Sequence, residues 1–83
     1  MHKLKPYRNE TDVIRIGDLE VENRLDRLLL TGDLVLTKDK IGLALAQELL
    51  SLVGRTVRAL KAEKQLPDSV EIIPAITVKN PFD

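Results

Sequence analysis

The chain contains no cysteine and no tryptophan. Without thiols there is no disulfide framework, no cysteine nucleophile and no sulfur-built zinc site, and the composition suits a reducing cytoplasm, which is the compartment expected. The single histidine, His2, stands next to the N-terminus. A histidine-dependent triad or a two-histidine metal site therefore has nothing to be built from within one chain. Tyr7 and Phe82 are the only aromatics, one toward each end. The core must accordingly be aliphatic, resting on fifteen leucines with isoleucine and valine, and stacking on nucleic-acid bases is not a large part of the chemistry.

Net charge is also missing, with 13 basic and 13 acidic residues, so no overall field recruits nucleic acid, anionic lipid or an acidic substrate. No apolar run reaches the roughly 20 residues of a membrane-spanning helix, because Gln47, Glu48, Arg55 and Arg58 interrupt the leucine-rich segment. The opening "MHKLKPYRNETD" has no apolar stretch behind its basic residues and does not read as a secretory signal. It reads as a flexible lead-in over residues 1–10, followed by one small domain over 11–83, since 83 residues leave no room for a separate catalytic domain.

What is present begins with two related stretches, "IRIGDLEVE" (14–22) and "LLTGDLVLT" (29–37), which share Gly-Asp-Leu at their centres. In the first, apolar and polar residues alternate with period two on either side of Gly17-Asp18, the pattern of two half-buried strands joined by a two-residue II′ turn. In the second, Gly32-Asp33 is either another tight turn or a bulge in one long strand. The second copy is the more apolar and is expected to be the more central. Two copies are too few for a solenoid, which needs at least about three.

At Thr37 the period changes. Ile41, Leu45, Leu49, Leu52, Val53, Val57 and Leu60 recur at three and four, which predicts a helix over about residues 38–65, roughly 40 Å long. Thr37 is the expected N-cap, with Asp39 in the first turn facing the positive end of the dipole. Lys61 and Lys64 suit the last turn, and Pro67 ends the element. Gly42 and Gly54 lie inside, each costing about 1 kcal/mol relative to alanine unless close packing compensates. Beyond the helix, the apolar residues around Pro74 predict an extended or edge-strand C-terminal arm. The fold expected is α+β: an antiparallel β-meander over about residues 12–37 packed against one long helix.

Chemistry is harder to find. The Gly-Asp-Leu stretches lack the clustered glycines and Lys-Ser/Thr of a phosphate loop, and the three spaced glycines of a dinucleotide site. Thr37 to Glu48 matches a calcium-loop frame at Asp39, Gly42 and Glu48 but fails at its first and fifth positions, Thr37 and Ile41. Ser51 and Ser69 have no histidine or cysteine near them in sequence. No catalytic residue, metal ligand, cofactor site or small-molecule substrate is expected, and the chain is not read as an enzyme.

Two surfaces remain. At 100° per residue the apolar residues of the helix cover an arc of about 200°, while one sheet needs a stripe of only about 100°. Leu43, Ala46, Leu50, Val53 and Val57 form the half left over, and a homodimer or another protein partner is its expected occupant. The competing occupant is the C-terminal arm, Val70 to Val78, folded back on the same chain. The other surface is the basic row Arg55, Arg58 and Lys61, which would serve phosphate contact in an alternative reading as a small nucleic-acid-binding regulator. The leading expectation is a small assembly or adaptor domain.

Overall fold

The computed structural model describes residues 3–70. They form a three-stranded antiparallel sheet, β1 (Val13–Ile16), β2 (Leu19–Asn23) and β3 (Leu28–Thr31) in the order β1-β2-β3, followed by one helix, α1 (Lys40–Ala62). This is the small α+β fold expected, with the helix packed against the sheet. The extended arm predicted beyond Val70 lies outside the described residues.

The first Gly-Asp pair makes the turn that the alternation predicts. Ile16 pairs with Leu19, so Gly17 and Asp18 are the whole connection, and Gly17 takes φ +62° while Asp18 does not go positive, the sign pattern of a II′ hairpin. The second pair is neither a hairpin nor a bulge. β3 stops at Thr31, Gly32 turns the chain away at φ +103°, and residues 33–37 run on without a strand partner. The strand expected through Val35 and Leu36 therefore does not form. The reason lies in space: a Cβ at Gly32 would stand 2.8 Å from the Asp18 carbonyl oxygen. The two Gly-Asp copies are neighbours, the second passing directly beside the turn made by the first. The expectation that the second copy is the more central is also corrected, since β2 holds the centre and β3 is an edge.

Register assigns the faces. Ile14 pairs with Val21 and Val21 with Leu30, while Asn23 pairs with Leu28, so Ile14, Ile16, Val21, Asn23, Leu28 and Leu30 share one face. The other face carries Val13, Arg15, Glu20, Glu22, Leu29 and Thr31. On it Arg15 and Glu20, directly opposite, form an exposed ion pair at 3.6 Å that adds little. The core is small: Leu4, Ile16, Val21 and Leu52 are buried, with Ile14, Leu28, Leu34, Leu45 and Leu49 packed around them. The helix lies over β1, so Leu30, on the inner face of the far strand, is only partly covered.

Helix α1 starts two residues later than the Lys38 expected, and its N-cap is Asp39 rather than Thr37. Asp39 has an extended backbone, its Oδ1 accepts the Gly42 N–H at 2.8 Å, and the Thr37 hydroxyl donates to the same oxygen at 2.6 Å. Thr37 thus supports the cap instead of being it. Gly42 is explained by close approach, because a Cβ there would fall 1.7 Å from the Thr37 carbonyl oxygen. At the other end α1 stops at Ala62 with Glu63 as C-cap, whose N–H bonds to the Leu60 carbonyl at 3.2 Å, leaving Lys64 outside.

The lead-in expected over residues 1–10 contributes to the body from Leu4 onward. Leu4 is in the core and Pro6 is buried. Their loop is held by Asn23, the one wholly buried polar residue among those described, which donates from Nδ2 to the Lys5 carbonyl at 2.9 Å and accepts the Tyr7 N–H on Oδ1 at 2.8 Å. Tyr7 sits at φ +69°, a strained backbone for a bulky residue, and this bond helps keep it there. Asn9 closes the loop by accepting the N–H groups of Thr11 and Asp12 on its Oδ1, at 3.0 and 2.9 Å.

Candidate functional site

The rotation of α1 about its own axis decides which apolar residues are left over. Leu45, Leu49 and Leu52 face the sheet, and the stripe centred about 100° further round does not. Along that second stripe Leu43 is 58% exposed, Leu50 71%, Val53 46%, Val57 43% and Leu60 36%, with Ala46 half-buried. The five residues singled out from the sequence, Leu43, Ala46, Leu50, Val53 and Val57, thus lie together along one side of the helix, and Leu60 extends their line. Alternation alone could not exclude that the sheet would take this half of the arc. The cap at Asp39 and the Gly42–Thr37 approach pin the helix start against the preceding loop, and with it the rotation.

The basic row separates in the structure. Arg55 is drawn into the fold: its Nε donates to the Leu4 carbonyl at 3.1 Å and its Nη1 to the Ser51 hydroxyl at 2.6 Å. It ties the N-terminal segment to the helix. Arg58 and Lys61 are exposed. A three-residue phosphate ladder is thereby reduced to two outward cations.

Among the described residues, a larger and a smaller groove lie beside the helix. The larger, about 710 Å³, lies between the N-terminal loop (Pro6, Tyr7), the β2–β3 turn (Leu25) and the end of α1 (Ala59, Leu60), with Leu66 and Val70 beyond. Its walls are mostly apolar. Tyr7, partly desolvated here, has its phenol pKa raised above the ordinary value. Asp26 and Arg27, in the same turn, hydrogen-bond side chain to side chain at 2.9 and 3.0 Å, which lowers the Asp26 pKa. The smaller groove, about 380 Å³, runs between Leu4, β1 and the helix residues Glu48, Ser51 and Arg55. Among the described residues no three His, Cys, Asp or Glu side chains converge as a metal site would require.

The residues that sequence reading missed are Asn9 and Asn23, which organise the N-terminal loop. A signal for Asn23 existed: in "LEVEN" it occupies the inward slot after Leu19 and Val21, where a polar residue must find partners inside. Among the described residues no helix is long and apolar enough to cross a membrane. No protein-family model matches the chain, and no curated protein or solved structure is significantly similar to it.

Proposed function

We propose that this protein is a small non-enzymatic assembly domain that self-associates, or binds a protein partner, through its long helix, in a reducing cytoplasm. The observation that carries the reading is the exposed row from Leu43 to Val57, set along one side of α1 while Leu45, Leu49 and Leu52 along the other are packed on the sheet. A contiguous apolar patch on a small chain marks a contact surface, and for a single kind of subunit the two-fold dimer is the commonest solution. Size supports the same reading. A domain of about 80 residues buries too little of its surface for comfortable stability alone, and covering the row would add about 25 cal/mol for each Å² of apolar area removed from water. The alternative, contact with nucleic acid through Arg55, Arg58 and Lys61, has less support because Arg55 already bonds to Leu4 and Ser51.

Sedimentation equilibrium at tens of micromolar tests the self-association. The expected result is a dimer mass for the wild type and a monomer mass for Leu50→Asp. A wild-type chain that stays monomeric refutes it.

A further inference from the structure

Leu43, Ala46, Leu50, Val53, Val57 and Leu60 follow one another at steps of three, four, three, four and three. That is the a/d spacing of a coiled-coil seam, a narrow line of contact kept in register by a second helix, and not the broader face a sheet covers. The row is also self-complementary on reversal. Position 43 matches 60, 46 matches 57 and 50 matches 53, every pair symmetric about the same point between Ser51 and Leu52.

We propose that the occupant of this seam is the same seam of a second copy, running antiparallel about a two-fold axis that passes between Leu50 and Val53. The inference rests on the self-association reading above and names its geometry. Antiparallel pairing sets Leu43 against Leu60, Ala46 against Val57 and Leu50 against Val53, so the smallest side chain meets a larger one and no layer is left thin. Parallel pairing would put Ala46 on Ala46 and leave a gap between bulky Leu43 and Leu50 layers. Antiparallel helices also bring the positive end of each dipole beside the negative end of the other. At the flanks Glu63 comes near Gly42 of the second copy and Gln47 near its Gly54, while Lys61 comes near its Lys40, an exposed like-charge pair at each end of the seam that salt screens. The seam is about 26 Å long from Leu43 to Leu60 at 1.5 Å per residue. Such a strip buries on the order of 500 Å² per copy, about 1,000 Å² in all, at the lower edge of specific interfaces. The association is therefore reversible and concentration-dependent.

The absence of cysteine makes the test direct. Leu43→Cys and Leu60→Cys chains, each at an exposed position, are mixed in equal amounts at tens of micromolar and oxidised, beside each variant alone. The antiparallel seam predicts a disulfide between the two different variants and little within either, because like positions then stand about 26 Å apart, far beyond the roughly 4.4–6.8 Å Cα separation a disulfide spans. Leu50→Cys mixed with Val53→Cys supplies a second pair close to the axis. Disulfides formed between two copies of position 43, or two copies of position 60, would overturn the antiparallel geometry while leaving self-association intact. A dimer by sedimentation that forms no disulfide in either mixture would overturn the seam. A wild-type monomer would overturn the proposal together with the reading beneath it.

Discussion

Asn23 and Tyr7, sixteen residues apart, are joined by the bond on which the N-terminal loop hangs: the buried Asn23 Oδ1 accepts the Tyr7 backbone N–H at 2.8 Å. On its other side the same amide donates to the Lys5 carbonyl. Asn23→Leu keeps the volume but removes the partner of the Tyr7 N–H and leaves the Lys5 carbonyl with only the Arg8 N–H, at 3.2 Å. It should cost about 1–3 kcal/mol, read as a lower urea midpoint. An unchanged midpoint would show that the loop is held by something else.

Three glycines should respond differently to alanine. Gly32→Ala places a Cβ against the Asp18 carbonyl at a positive φ, and Gly42→Ala places one inside the Thr37 carbonyl, so each should lose more than about 1 kcal/mol. Gly54 meets only the end of the Arg58 side chain at 3.7 Å, ordinary contact within its own helix. Gly54→Ala in dilute protein should therefore gain up to about 1 kcal/mol from helix propensity. Thermal melts of the three variants check the order.

Leu50 and Leu52 are two residues apart and should behave as opposites. Leu52, buried in the core, should lose about 2–5 kcal/mol on truncation to alanine. Leu50→Ala should change the stability of the dilute monomer by less than about 0.5 kcal/mol, and shift only the concentration at which chains associate. Denaturation at two protein concentrations separates the effects.

The cap carries a pH signature. The Thr37 hydroxyl bond, then the Gly42 N–H, lower the pKa of Asp39 below the usual aspartate value. A carboxylate depressed in the folded state contributes stability that is present above its unfolded pKa, about 3.9, and is lost as pH falls through the lower folded value. Asp39→Asn, which retains an acceptor, should melt close to the wild type at pH 3 and below it at pH 6. Asp39→Ala should melt roughly 5 °C lower at pH 6. Equal melting temperatures across that range would remove Asp39 from the cap.

Calcium, magnesium and ATP should leave the melting temperature unchanged, because a ligand that binds only the native state raises it by mass action. A clear upward shift with any of the three would refute the non-enzymatic reading.

The elements themselves were legible because their cues are local. Alternation around Gly17-Asp18 specifies two strands and the turn between them, and the change to a three-and-four period specifies the helix to within two or three residues at each end. The cap was misplaced by two residues because Thr37 and Asp39 are both good caps, and only the direction of their side chains distinguishes them. Gly32 was misread because what it must avoid, the Asp18 carbonyl, is fourteen residues away in sequence and adjacent only once the sheet has formed.

By itself, then, the amino-acid sequence determined an aliphatic α+β chain with no cysteine and a single histidine, and a helix with more apolar surface than one sheet can cover. Composition and period are properties of short windows, and need no knowledge of neighbours. The tertiary structure decided which half of that surface is covered. A 200° apolar arc is compatible with many rotations about the helix axis, and the rotation was selected by contacts from elsewhere in the chain: Thr37 against Gly42, Arg55 on the Leu4 carbonyl, and Leu45, Leu49 and Leu52 against β1 and Leu4. The same contacts brought Leu4 out of a polar segment and into the core. No periodicity could announce that, since a single leucine has none.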